Sequence, residues 1–300
     1  MKRILIIGST QSGSKNEPSV IYSHLIKNNV DVKLCYWEDI VFDIKTGEVN
    51  VTVSGEDIVR DINPQEVLAF NWYKSGKNSY YRDIAFAFSL YLEDAGIPFW
   101  NSEMRMQRST TKLSCMVQLA LNGVPVPDSM FSLHGSYDFP DLPFIVKSIA
   151  ASRGDSNHLV EDNSIALKHL SSDIPYMAQP FLHNDHDLRV VCFGGNPAMV
   201  LRRSRDIGSD THMNNTSQGG SAVWIDISEL DGKLLTLCRK ICIILGREMG
   251  GIDLIPDSSS PYGYSCLEVN AIPQLTSGFD VDKKLDELAK AVYEIESERK

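Results

Sequence analysis

Tyr264–Leu275 reads YSCLEVNAIPQL, and the way this stretch is read decides the fold. Cys266, Leu267 and Val269 suit a buried strand, yet Glu268 and Asn270 place oxygen-bearing side chains two positions apart, just ahead of Pro273. Side chains at i and i+2 of a strand share a face, so both can address one ion. Asp253 lies upstream in GGIDLI, on a second strand whose other residues are apolar. Two carboxylates and an amide oxygen are ligands for a hard cation such as Mg2+, which completes its shell with water and nucleotide phosphate oxygens. Taken alone, Glu-x-Asn suits an exposed strand face equally well.

The bulk composition narrows the classes. The chain has 300 residues, 43% hydrophobic and 23% charged, an ordinary globular balance with room for two domains. A formal net charge of −10 leaves no basic excess to neutralise phosphate backbones or anionic lipid, which excludes general nucleic-acid and membrane binding. Six scattered cysteines, without a CxxC pair, are expected to be reduced thiols. The opening MKRILIIGST is too short in its apolar run for a secretory signal, and no run approaches a membrane span. The expected location is cytoplasmic.

Arg3–Ile7 reads as a buried first strand, Pro18–Ile26 as a helix and Val32–Tyr36 as a strand. That β-α-β alternation predicts a parallel sheet. A helix near Arg82–Ala95, closed by Gly96, leads to a strand near Ile97–Trp100. QRSTTKLSCMVQLALNGVPVPDS reads as another helix, with Ser109 as N-cap and Gly123 as C-cap. From Pro143 the texture changes to short strands, PFIVKSI, NHLVE, YMAQPFL, LRVVCF and PAMVLRR, with FGGNPAM as a tight hairpin. A helix at about Gly232–Met249, the strand GIDLI, the opening stretch and a charged C-terminal helix complete the chain. The boundary is expected between residues 100 and 112. This divides the chain into residues 1–105 and 106–300, the latter into 106–182 and 183–300.

GSTQSGSK (Gly8–Lys15) falls short of a phosphate-binding Walker loop because Ser14, not lysine, follows the glycine; it is read as a strand-to-helix loop. Lys147 ends the apolar strand PFIVK, where an ammonium is costly unless it meets an anion, and AASRGDSN follows as a small-residue loop able to close over phosphates. Asp187 and Arg189 alternate on one strand, as do Arg203 and Arg205 on another. The aromatic-rich FNWYKSGKNSYYRD (Phe70–Asp83) reads either as a surface loop or as a contact with substrate.

These elements, in this order, resemble the ATP-grasp superfamily and within it the RimK-like carboxylate–amine ligases. The resemblance runs over residues 100–280 through Lys112, PFIVKS, AASRGDSN, AQPFL, DLRVVCFGG, LRRS, NNTSQGG, GGIDLI and LEVNAIPQL. It implies an α/β (α+β ATP-grasp) fold, with an N-terminal open parallel α/β domain ahead of a two-lobed module of antiparallel sheets. It also implies that Lys112, Lys147 and the lid residues Ser152, Arg153 and Gly154 bind nucleotide phosphates. Gln179, Phe181 and Leu182 would contact adenine, and Asp187 would lie near the ribose. Arg203, or Arg202 one register away, would stabilise the transferring phosphoryl group, and Asn215 would orient substrate. Asp253, Glu268 and Asn270 would hold one or two Mg2+, with Mn2+ as an alternative.

The sequence departs from the family pattern at Asp155, at Gln179 and in the absence of an arginine beside Asn215. The implied activity is ATP-dependent amide or peptide bond formation between a small-molecule carboxylate and an amine, an amino acid or peptide, by a monomer or homo-oligomer. A kinase on the same fold, and a nucleotide-binding interaction protein of the synapsin type, are the alternatives.

Overall fold

The computed structural model describes residues 3–8, 17–57, 67–71, 80–106, 111–133, 141–149, 157–162, 175–205, 214 and 220–297. GSTQSGSK beyond Gly8, Ser109, the lid residues Ser152, Arg153 and Gly154, and Asn215 fall outside the described residues, as do positions 72–79 of the aromatic-rich stretch.

Near the N-terminus, β1 (Arg3–Gly8), β2 (Val32–Tyr36), β6 (Val67–Asn71) and β7 (Phe99–Trp100) form the expected parallel sheet in the order β2-β1-β6-β7. Helix α1 (Glu17–Lys27) connects β1 to β2, burying Pro18, Ile21 and Leu25. Gly8 ends β1 so close to α1 that a Cβ would lie 2.6 Å from Pro18 Cγ, which explains the glycine. Helix α2 (Tyr80–Asp94) packs Phe88 edge-on against Trp37 and Phe99, with centroids 5.8 and 5.7 Å apart. A small antiparallel sheet of β3 (Ile40–Lys45), β4 (Glu48–Val53) and β5 (Glu56–Asp57), absent from the sequence reading, lies between. Its alternation is plain in hindsight: Phe42, Val51 and Val53 face the core, and Gly47 takes φ +79° in the two-residue turn.

The rest of the chain builds two antiparallel sheets. The first joins β8 (Met130–Phe131), β9 (Phe144–Ser148), β10 (Asn157–Val160) and β11 (Tyr176–Pro180) in the order β10-β9-β11-β8. The second joins β12 (His186–Phe193), β13 (Asn196–Ser204), β14 (Ser221–Ile225), β15 (Gly250–Pro256) and β16 (Tyr264–Asn270) in the order β14-β13-β12-β15-β16. Gly194 and Gly195 both adopt positive φ in the β12–β13 hairpin, as its sequence predicts. One face of this sheet presents Leu188, Val190, Cys192, Val200, Ile252, Leu254 and Cys266 to helices α3 (Lys112–Leu121) and α4 (Gly232–Leu245). On the other face Val191, Phe193 and Met199 pack against α5 (Val281–Ser297) and α1. All six cysteines are buried free thiols. No helix among the described residues is long and apolar enough to cross a membrane.

Two helix ends differ from expectation. Thr111, not Ser109, caps α3 by accepting from the Ser114 N–H. Helix α4 stops at Leu245 rather than Met249 because Gly246 turns left-handed (φ +59°), at a position where a Cβ would overlap the Arg105 backbone.

Two buried polar residues tie the layers together. Asn101, itself at φ +55°, donates from Nδ2 to the carbonyls of Met249 (2.8 Å) and Ala271 (2.6 Å) and accepts from the Met249 N–H at 3.0 Å. It thereby joins the end of the parallel sheet to the residue that follows β16. Arg247 donates to the Val269 carbonyl and to Cys115 Sγ, clamping α3 against β16. Replacing Asn101 with alanine strands three buried backbone groups, each costing about 1–3 kcal/mol. Asn101→Ala is therefore expected to destabilise the protein by roughly 3–5 kcal/mol in urea denaturation, and a loss under about 1 kcal/mol would contradict this role.

Candidate functional site

Strand alternation and register assemble a charged face on the five-stranded sheet. Cross-strand partners are Asp187 with Arg203, Arg189 with Asp253, Asp253 with Glu268, and Gly251 with Asn270. Arg189 grips Asp253 with both ends of its fork, Nε to Oδ1 and Nη2 to Oδ2, each at 2.7 Å. Arg203 donates from Nε to Asp187 Oδ1 at 2.6 Å and sets Nη2 3.3 Å from Asp253 Oδ1. Burial pushes both carboxyls up. For Asp253 the two guanidiniums outweigh it and hold the group below its ordinary value, whereas for Asp187 burial prevails over Arg203 and the net shift is upward.

The neighbouring Arg202 projects to the opposite face. Its Nη2 lies 3.4 Å from His186 Nδ1 and 3.8 Å from Asp185 Oδ2, and its side chain is half-exposed. Arg203 joins the charged face and Arg202 does not.

The other sheet brings lysines to the same place. Lys147, on β9, is pushed down to about 8, first by burial; Glu268 and Asp253 raise it, and Lys112 lowers it further. Groups from two sheets and one helix thus share one electrostatic environment. Lys112 Nζ reaches the Ser148 carbonyl at 3.4 Å from the first turn of α3, a helix that Arg247 holds in place.

Gln179, buried on β11, donates to Ser129 Oγ at 2.8 Å. At the strand's end the Phe181 N–H donates to the Pro143 carbonyl (3.2 Å) and the Leu182 carbonyl accepts from Asn184 Nδ2 (2.7 Å). The Phe181 carbonyl and the Leu182 N–H belong to one trans peptide and so point in opposite directions, and neither has a partner among the described residues. Asn214 donates to Asn184 Oδ1 at 2.7 Å beside the end of β13.

The donor set fits a hard divalent cation. Asp253 and Glu268 are directly paired across strands with Asn270 on the same face, and all three offer oxygen. Among the described residues no hydrogen bond or ion pair engages the Glu268 carboxylate or the Asn270 amide, and no group of three His, Cys, Asp or Glu side chains is placed to hold a metal, so the amide oxygen of Asn270 has to complete the set. Three of the roughly four lone-pair positions on Asp253 are taken by guanidinium groups, which leaves one for a cation unless Arg189 or Arg203 yields. Asp253 is thus a weaker ligand here than its spacing suggests, and Glu268 carries more of the burden. Sequence reasoning placed Arg189 on this face without a role, and it gave no role to Arg247 or Asn101. The alternating Asp-x-Arg of β12 put Arg189 on one face with Asp187, but only sheet register sets it opposite Asp253.

A RimK-like ATP-grasp domain matches residues 109–295. A probable alpha-L-glutamate ligase of Histophilus somni is 29% identical over 195 residues, covering 60% of this chain and 63% of that protein, so the match spans less than two thirds of the relative. A probable alpha-L-glutamate ligase of Trichodesmium erythraeum is 25% identical over 211 residues, covering 65% and 68%. Among solved structures, the ATP-grasp ligase PsnB complexed with its minimal precursor superposes with a TM-score of 0.69 at 16% identity, covering 98% of this chain and 99% of that one. D-alanine–D-alanine ligase of Bacillus anthracis complexed with ATP gives 0.57 at 14% identity, over 100% and 99%. These likenesses show the ATP-grasp fold, with its mixed helices and antiparallel sheets. With the family match extending over more than half of its residues, the chain belongs to the RimK-like ATP-grasp family.

Proposed function

We propose that this protein is an ATP-dependent carboxylate–amine ligase that forms an amide or peptide bond and releases ADP and phosphate. One observation carries the reading: four cations, Lys112, Lys147, Arg189 and Arg203, gather around three carboxylates, Asp187, Asp253 and Glu268, in a protein of net charge −10. A half-buried cationic excess in an acidic protein calls for an anionic ligand, and a nucleotide triphosphate with its metal supplies one. The relatives named as probable glutamate ligases, and neighbours complexed with precursor peptides, support an amino acid or peptide as substrate. Residues 1–105 form the preceding α/β domain and 106–300 the ATP-grasp module in this reading. Six buried free thiols suit a cytoplasmic protein.

Roles follow from position. Lys112 and Lys147 hold phosphate oxygens, and Arg203 faces the transferring phosphoryl group. Ser152, Arg153 and Gly154 would cover the phosphates. Asp187 lies toward the ribose. Gln179, Phe181 and Leu182, at the end of β11, would line the adenine pocket. Asp253, Glu268 and Asn270 would hold one or two Mg2+, or Mn2+, whose charge would offset that of the phosphates. Asn215 would contact substrate.

A carboxylate oxygen attacks the γ-phosphorus, ADP departs, and the acyl phosphate formed is attacked at its carbonyl carbon by the amine, expelling phosphate. Such transfer needs alignment and positive charge more than a covalent catalyst. Lys147, half-buried, and Arg203, buried, provide that charge where it acts more strongly than in water. The buried thiols supply no nucleophile; Cys238, for one, is pushed up to about 12 by burial.

In an ADP-release screen of amino acids and short peptides, release should require acid and amine together and yield a conjugate by mass spectrometry. Arg203→Lys, which keeps charge but loses the fork, should lower kcat about 100-fold, while Arg202→Met should stay within about threefold. Equal losses at both positions, or ADP without conjugate, would contradict the assignment. Lys147 supplies a second check. Unfolded, it keeps its proton to 10.5; folded, it yields it at about 8, so the buried charge opposes folding fully below pH 8 and progressively less up to 10.5. Lys147→Met should therefore raise the Tm of metal- and nucleotide-free protein at pH 7 while weakening ATP binding, with the Tm advantage fading as pH climbs. A variant no more stable than wild type at pH 7 would refute the electrostatic account.

A further inference from the structure

The functional reading leaves one buried cation unused. Lys284, in the first turn of α5, is only 6% exposed, and its ammonium donates to the carbonyls of Gln274 (2.6 Å) and Ser277 (2.7 Å). Among the described residues no carboxylate lies within ion-pair distance of it; Asp280 attracts it from further away, and Arg189 repels it. Burial, followed by Arg189, lowers it to about 8. An ammonium held under those penalties must be offset by what it binds, and charge-assisted hydrogen bonds are the strong kind.

What it binds is the segment 271–280, which leaves β16 directly after Asn270. This segment lies over the charged face: a Cβ on Gly251 would meet Pro273 Cβ at 3.5 Å and Arg189 Cδ at 3.9 Å. It is pinned at its start by Asn101 to the Ala271 carbonyl (2.6 Å) and at its end by Trp224 Nε1 to Asp280 Oδ2 (2.7 Å). Between those ends Leu275 is buried in the core shared with Leu285 and Leu288, and Gly278 takes φ +78° against the Gln274 side chain. Each peptide plane carries its N–H opposite its carbonyl. Drawing the Gln274 and Ser277 carbonyls onto one ammonium therefore sets the direction of the Leu275 and Gly278 amides as well.

We propose that Lys284 is a positioning residue, which touches no reacting atom but holds segment 271–280 as the wall of the site beside Asn270 and Arg189, and so governs use of the carboxylate and amine substrates rather than of ATP. The inference rests on the ligase reading for its kinetic consequence and on geometry alone for its structural one.

The test is hydrogen–deuterium exchange over residues 272–279, with steady-state kinetics, on wild type, Lys284→Met and Lys284→Arg. Lys284→Met should exchange at least about tenfold faster in that segment, and kcat/KM for the acid should fall at least about tenfold with KM for ATP within about twofold. Lys284→Arg, which keeps charge and donors, should recover most of both. Unchanged exchange in Lys284→Met, or a KM for ATP rising in parallel with that for the acid, would overturn the proposal. Should Lys284→Met fail to fold, Lys284→Gln, with a shorter neutral donor, should show intermediate exchange, and wild-type exchange in it would overturn the proposal equally. Exchange needs no turnover. If wild type makes no conjugate, the ligase reading falls while the exchange result still decides whether Lys284 holds the segment.

Discussion

The Asp253 carboxylate, held by the fork of Arg189 and touched by Arg203, is the contact on which this site depends. A buried carboxylate is tolerated only when its charge is met, and removal of one partner from such a cluster strands the other. Asp253 permits two guanidiniums to lie against a sheet whose opposite face carries the apolar core beneath α3 and α4, and Arg203 in turn permits Asp187. The pairs are cross-strand neighbours, so the register of β12, β13 and β15 and the placement of charge are one constraint. A slip of one residue would exchange Arg203 for Arg202 and turn the charged set into the core.

The cluster satisfies itself only in part. Glu268 and Asn270 remain open on the same face, while Lys147 arrives from the other sheet with its proton loosened by burial. A site complete in itself would have no need of a depressed lysine. Proteins hold such groups against their own stability where a ligand later offsets the cost. The Asn101 and Arg247 bridges then have a clear purpose, since they fix β16 and α3 in relation to each other. That holds Glu268 and Lys112 in place without any ligand.

Much of this is legible in the sequence. The i, i+2 spacing of Glu268 and Asn270 predicted a shared face, and the Gly194–Gly195 turn predicted the hairpin that aligns Asp187 with Arg203. Local patterns of that kind are carried by a few adjacent residues. The Arg189–Asp253 fork was not legible, because the two residues are 64 positions apart and only sheet register joins them. Lys284 was hidden for a related reason: its partners are backbone carbonyls, which no side-chain pattern betrays. Helix α4 was overrun because its apolar spacing continues past Gly246, where close approach to Arg105 forces the stop. The β3–β4 hairpin was missed because its apolar face runs out into solvent at Ile44, 73% exposed.

The central claim is that this charged face activates a carboxylate by phosphorylating it, and the fate of oxygen tests that most directly. With the carboxylate substrate labelled with 18O, turnover in the presence of amine and ATP should transfer one labelled oxygen to inorganic phosphate, read by the isotope shift in 31P NMR. Phosphate free of label, with ADP still released, would mean that the phosphoryl group never joined the acid, and the account would be wrong.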